Sequence, residues 1–204
     1  MPDAVAIRIE RAGDRALVDR LWQQSVDERS GAGFVGRAPS ADEFPTSRFL
    51  IAELEGECVG IAGTILPAAD ARFSFEKAVG FPHDAIPTRE RSELCEGLGL
   101  YVVPAQRMAG LSWALTFLAM LIGAEAGATT IVAENGGVSL RMALAAGLRD
   151  TGVVTKLRGT QPYHLTVGAL AEVLAASWAA SRAALGQCRL EPTLAEACER
   201  FSKR

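Results

Sequence analysis

In the stretch from Glu96 to Ser112, an apolar run ending at Val103 is broken by Pro104, passes a short turn through Arg107 and Gly110, and enters the apolar segment Leu111 to Ala124. That order reads as a strand, a loop and a helix start. Backbone N–H groups at a helix start lack intrahelical partners, and the helix dipole adds partial positive charge, so the turn can dock an anion, typically a phosphate. Arg107 would bring a full charge beside them, while Gly110 and the small Ser112 let a ligand approach the main chain closely. The same residues also fit a plain strand-to-helix connection.

Other chemistry is sparse. His83 and His164 are the only histidines; the first lies in a long connector where it could touch substrate, the second in a strand where it reads as structural. Neither supports nucleophilic catalysis through a Ser-His-Asp or Cys-His set. Cys58, Cys95, Cys188 and Cys198 have no Cys-x-x-Cys spacing and no companion histidine, which argues against a metal site and for reduced, packed thiols.

The elements that must position the turn follow from pattern. Val5 to Ile9 alternates like a strand, and Leu17, Val18, Leu21 and Trp22 form one helical stripe between Asp14 and Gln24. Ser30 to Ser40 is a Gly- and Ser-rich loop that could sit over a cleft or simply connect. Phe49 to Leu54 and Cys58 to Leu66 are strands joined as a hairpin by Glu55-Gly56-Glu57. The connector from Pro67 to Arg91 is too long for an ordinary turn and predicts a short helix or a functional loop; its phenylalanines could wall a pocket or pack over the sheet. Leu111 to Ala124 carries no charge but falls short of the roughly 20 residues a bilayer needs, so it reads as a helix buried against a sheet. With the strand Thr129 to Ala133 it makes a crossover, hence a parallel pair. Asn135 to Gly137 is a turn, Ser139 to Ala146 a helix capped at Gly147, Val153 to Leu157 and Tyr163 to Val167 are strands, and Leu170 to Leu185 and Thr193 to Phe201 are helices.

The chain of 204 residues with net charge −3 fits one domain over 1–167 with a helical extension over 168–204, packed on that domain or on a second subunit in a homodimer. Mixed charge gives no nucleic-acid footprint and no basic run for a membrane surface. The first ten residues lack a continuous apolar core, so a cytoplasmic protein is expected.

In this order the chain resembles the GNAT superfamily of N-acyltransferases, from Ile7 to about Val167. The family's signature, Gln/Arg-x-x-Gly-x-Gly/Ala after a strand, stands here as Arg107-Met108-Ala109-Gly110-Leu111-Ser112 behind Leu100 to Pro104, with Ser112 as a departure. Asn135 and the frame Ala143-Leu144-Ala145-Ala146-Gly147-Leu148 match a second motif, except that Ala143 stands where the family tends to have Tyr. Phe49 to Gly60 looks like the family's second and third strands. The resemblance implies an α/β fold: a mixed, mostly antiparallel sheet with a splayed parallel pair and flanking helices, followed by the C-terminal helices.

It also implies transfer of an acyl group from acetyl-CoA or another acyl-CoA to a primary amine by direct attack. Tyr101, Val102 and Val103 would pair with the pantetheine arm, and Met108, Ala109, Gly110, Leu111 and Ser112 would hold the diphosphate with Arg107. Asn135 would add a contact. Glu96, eleven residues before Arg107, stands where several members place a general base, with Glu93 in reserve and a solvated or salt-bridged carboxylate as the alternative. With no Tyr at 143, the leaving thiolate would be protonated by water, by Tyr101 or by nothing. A narrower likeness of Ser92 to Glu96, behind the Phe-rich connector, points to the N-acyl amino acid synthase and acyl-homoserine-lactone synthase branch, whose members take long acyl chains from acyl carrier protein. The branch often has Glu-Leu-x-Arg where this chain has Glu93-Leu94-Cys95-Glu96. Three functions stay open: a short-chain N-acyltransferase, a carrier-protein-dependent long-chain enzyme, and a non-catalytic acyl-CoA sensor.

Overall fold

The computed structural model describes residues 4–30, 40–158 and 161–203, with the backbone alone at 29, 30, 108, 109, 157 and 158. Residues 31–39 of the glycine-rich loop lie outside the described residues. In chain order the elements are β1 (Ala6–Ile9), α1 (Arg15–Ser30), β2 (Ser47–Leu54), β3 (Glu57–Ile65), α2 (Glu76–Val79), β4 (Leu94–Val102), α3 (Leu111–Glu125), β5 (Thr130–Asn135), α4 (Val138–Ala145), β6 (Arg149–Arg158), β7 (Gln161–Ala169), α5 (Leu170–Leu185), β8 (Arg189–Leu190) and α6 (Pro192–Ser202). They form one sheet in the order β6-β7-β5-β4-β3-β2-β1-β8. Pairing is antiparallel except for β4 with β5 and β1 with β8, as the mixed sheet and crossover predicted.

Local chemistry explains the joints. Glu55 and Gly56 both take positive φ, 53° and 83°, the two-residue turn whose twist matches that of the β2–β3 hairpin. The predicted turn after Pro104 is a 3₁₀ helix over Pro104–Ala109, ended by Gly110 at φ 76°. Helix α1 and strands β6 and β7 run past their predicted bounds, because packing extends what periodicity only seeds. Two-residue β8 had no pattern to read.

Helix α3 is apolar on nearly all sides because it lies between the sheet and α5. Its Phe117 meets Trp178 of α5 at 5.1 Å and Phe201 of α6 at 5.3 Å between ring centroids. Gly123 lies so close to β4 that a Cβ there would sit 2.8 Å from the Cys95 sulfur. On the opposite face α1 packs Val18, Leu21, Trp22 and Val26 beside Phe44, Phe49 and the long connector. There Phe73 and Phe75 are buried and stacked at 5.6 Å, and Arg91 lies 4.9 Å from the Phe81 ring. Of the two readings of the connector's aromatics, packing over the sheet is the one observed.

The feature that positions the site is a seam in mid-sheet. β4 pairs with β5 only from Leu94↔Thr130 to Gly97↔Ala133. Beyond it β5 stays with β7 and β4 stays with β3, so the parallel pair splays. Between Gly63↔Leu98 and Ile61↔Tyr101 strand β4 carries one extra residue, a bulge that increases local twist. Gly99 supplies it at φ 58°, its α-carbon against the Trp22 ring.

Gly99→Ala should therefore destabilise the fold by about 1–2 kcal/mol, the cost of left-handed backbone at a residue with a Cβ. A Cβ there would also lie 3.1 Å from Trp22. A lower urea midpoint with an unchanged slope is the expected result.

Candidate active site

The splay opens a cleft of about 430 Å³ between Leu100, Tyr101, Val102, Arg107 and Ser112 on one side and Gly136, Val138, Ser139, Met142, Gln161 and Tyr163 on the other. It shares Ser25, Leu100, Ser139, Met142 and Tyr163 with a second chamber of about 210 Å³ that passes through the seam. On the α3 and α4 side that chamber is walled by Trp113, Ala119, Met120, Ile131, Ala143 and Leu148; on the α1 side it is bordered by Ser74, Glu134 and Lys156. An apolar hollow and a charged wall thus meet where the two strands part.

The predicted donor residues gather at the outer cleft. Gly110 turns the chain into α3, which begins with no side-chain cap; Trp113 N–H is taken by the Gly110 carbonyl, so Leu111 and Ser112 are the helix-start residues that can offer N–H groups to an anion. Arg107 is folded back rather than presented: its Nε donates to the Val102 carbonyl at 2.8 Å, its Nη2 to Glu28 of α1 at 2.5 Å, and its guanidinium lies over the Tyr101 ring. The Tyr101 hydroxyl also donates to Glu28. Burial pushes that phenol up to about 12, with Glu28 adding to the shift. Burial of Glu28 would raise its carboxyl, but the Tyr101 and Arg107 bonds prevail and hold it below the usual range. Val103 N–H is spent on the Val59 carbonyl. Asn135 lines the chamber and donates to Thr166 at 2.8 Å. Ala143 is a buried part of the chamber wall and offers no hydroxyl to a leaving group.

Glu96 is fully buried and does not line the chamber. Its carboxyl accepts the Ser74 N–H at 2.5 Å and contacts the Ser74 hydroxyl. That hydroxyl also lies 3.0 Å from Glu134, which is ion-paired with Lys156. Burial pushes Glu96 up to about 8, aided by the Glu134 charge and opposed by the Ser74 bonds. Burial also acts to raise Glu134, but the Lys156 charge and hydrogen bond outweigh it, leaving that carboxyl lowered. Glu93, the reserve candidate, is exposed at the start of β4 and bonds Thr88.

Ser74, Glu134 and Lys156 were not singled out in the sequence. Ser74 sits in the unpatterned connector, and Glu134 and Lys156 look like strand-end charges. One signal was available: with Glu96 opposite Val132 in a parallel pair, Glu134 must point to the same face as Glu96.

No family model matches the chain, and no curated protein matches it. Solved structures do. FeeM, an N-acyl amino acid synthase from uncultured soil microbes, is 15% identical over 88% of this chain and 98% of its own, with TM-score 0.63. BjaI, a CoA-dependent acyl-homoserine lactone synthase solved with SAM and isopentyl-CoA, is 16% identical over 95% and 98%, at 0.58. The yncA protein of Salmonella typhimurium, solved with its cofactor acetyl-CoA, is 16% identical over 81% and 94%, at 0.56. At identities this low the structural likeness shows the fold alone, and it is the fold shared by these synthases and by N-acetyltransferases of the GNAT family.

The Glu96 carboxyl sets a pH dependence of stability. Its value in the fold, about 8, lies above the roughly 4.3 of a free glutamate, so the native state keeps a proton that the unfolded chain releases. That contribution is complete below about pH 4, declines as pH rises and is gone above about pH 8. The lowered Glu134 acts oppositely, stabilising above its unfolded value and losing this as pH falls. Glu96→Gln cannot ionise and should flatten the decline in urea midpoint between about pH 4 and about pH 8; parallel curves for the two proteins would contradict the assignment.

Proposed function

We propose that this protein is an N-acyltransferase that moves an acyl group longer than acetyl from a CoA thioester to a primary amine by direct attack. One observation carries the reading: the seam joins a phosphate-compatible cleft, an apolar hollow and a buried carboxylate cluster at a single point. The sequence placed acetyl transfer first, but an apolar cavity of about 150 Å³ already holds a benzene ring, and the chamber's about 210 Å³ has room for more than two carbons.

In this reading the diphosphate meets the N–H groups at the start of α3 beside Gly110, with Met108 to Ser112 around it and Arg107 released from Glu28 to add charge. The pantetheine arm follows the open edge of β4 near Tyr101 and Val102. The acyl chain enters the hollow between α3 and α4. The amine nitrogen attacks the thioester carbon, the C–N bond forms, the C–S bond breaks, and the electron pair leaves with sulfur. A CoA thiol is acidic enough to leave as thiolate, so Ala143 in place of a hydroxyl-bearing residue does not block the step. The amine's proton goes to the carboxylate cluster.

The relatives are consistent with this donor class: one was solved with isopentyl-CoA and another with acetyl-CoA. Acyl carrier protein presents the same phosphopantetheine arm, so the test includes both carriers.

Thermal-shift titration with CoA thioesters of two to twelve carbons, and with carrier protein loaded with the same chains, reads the donor directly. Stabilisation should grow from acetyl-CoA to medium chains and then fall. Ala143→Phe, which fills the hollow, should weaken octanoyl-CoA about tenfold while sparing acetyl-CoA. A flat or acetyl-favouring series overturns the long-chain reading. Tight binding with no CoA release to any amine would make the protein a sensor.

Arg107→Ala should weaken CoA itself about tenfold, as loss of a charge-assisted hydrogen bond does. Calorimetric titration checks it.

A further inference from the structure

The acyltransfer reading needs one group to take the amine's proton, and the hydrogen bonds at the seam select which. The Ser74 hydroxyl has one hydrogen and lies between Oε1 of Glu96 and Oε2 of Glu134. If both carboxylates were ionised, Ser74 could donate to only one of them and would leave a buried negative charge facing it. Two arrangements satisfy the bridge, one with the proton on Glu96 and one with it on Glu134, and the Lys156 ammonium on Glu134 selects the first. Glu96 is protonated and donates to the Ser74 oxygen, Ser74 donates to Glu134, and the Lys156 ammonium pairs with the same Glu134 oxygen.

The two carboxyls also differ in reach. Glu134 borders the chamber through which the acyl group would pass, together with Ser74 and Lys156. Glu96 has no exposed surface and lies behind Ser74. Ser74 and Lys156 both bond Oε2 of Glu134, and Thr155 adds a third hydrogen bond to the carboxyl; an ionised carboxylate has about four lone-pair sites, so capacity to accept a proton remains.

We propose that Glu134 is the catalytic base of the acyl transfer and that Glu96 is a positioning residue that acts on it through Ser74. This rests on the acyltransferase reading. Glu134 takes one proton from the substrate ammonium and so frees the lone pair that forms the C–N bond; as that bond forms, the C–S pair departs with the thiolate and the nitrogen's second proton is lost to water, and the proton on Glu134 then leaves to water through the cleft. Lys156 keeps Glu134 ionised between turnovers, and the Ser74 bond fixes its orientation. Buried Glu96, by donating to Ser74, keeps the single hydroxyl hydrogen pointed at Glu134.

The test uses octanoyl-CoA as donor and two nucleophiles, with CoA release as the signal. Butylamine is protonated at neutral pH and needs a base; hydroxylamine is not protonated there and needs one far less. Glu134→Gln should lower kcat/KM for butylamine about 100-fold or more, the usual worth of a general base, with less than about a tenfold loss for hydroxylamine. Glu134→Gln with Lys156→Met leaves no unpaired ammonium and should show the same split, which keeps the result interpretable if the single variant folds poorly. Glu96→Gln retains a donor toward Ser74 and should lose less than about tenfold with butylamine, whereas Glu96→Ala should lose clearly more. Equal losses for both nucleophiles in the Glu134 variants, or a Glu96→Gln as impaired as Glu134→Gln, overturn the assignment while leaving acyl transfer intact. A wild-type protein that releases CoA to neither nucleophile removes the acyltransferase reading and this inference together.

Discussion

The structure turns on the place where β4 stops pairing with β5. Backbone N–H and C=O groups are obligatory hydrogen-bonding groups, so a strand that abandons its neighbour in mid-sheet must find partners elsewhere or face water. β4 does this over its last five residues while the sheet continues on either side, held by β3 in one direction and by β7 beyond β5 in the other. The break survives because both faces are braced. Helix α3 crosses β2, β3 and β4 behind it, and Trp22 closes on Gly99 in front. The result is an opening through a layer that a regular sheet would have sealed.

That opening decides where charge can be kept. Glu96 lies just before the seam, opposite Val132, on the face covered by α1 and the connector. An ionised carboxylate in that position would be costly without a partner of its own, and among the described residues its hydrogen bonds come from the Ser74 N–H and hydroxyl. Two residues along β5, Glu134 has Lys156 and a route to the cavity. Two like side chains that share one serine hydroxyl are thus driven to opposite protonation states by access to one ammonium. The Ser74 hydroxyl joins them, which makes the pair one titrating unit rather than two neighbours.

Most of the frame was legible because it is written locally. The Glu55-Gly56 turn, the β-branched run of β5 and the uncharged α3 each declare themselves within a few residues, and the strand-helix-strand order fixes a parallel pair. Register is not local. The extra residue in β4 depends on which residues of β3 lie opposite, and the cluster at the seam gathers Ser74 from the connector, Glu134 from β5 and Lys156 from β6. Glu96 was found from its offset to Arg107, yet its burial behind Ser74 follows only from the packed connector. Arg107 shows the same limit. Its place in the turn was evident, but its partner Glu28 lies 79 residues away on α1.

The Arg107–Glu28 pair also ties α1 to the wall of the cleft. Its side chains are 47% and 30% exposed, and ion pairs so accessible contribute roughly 0–1 kcal/mol, so on the proposed reading a diphosphate with full charge would displace Glu28 from the guanidinium at small cost. Glu28 is not then set loose, because the Tyr101 hydroxyl still donates to it. Helix α1 therefore stays tied to β4 through Tyr101 while Arg107 changes partner. On the proposed reading, the donor exchanges one ion pair for another without disturbing Trp22, one and a half turns earlier on the same helix and packed against the bulge that opens the seam.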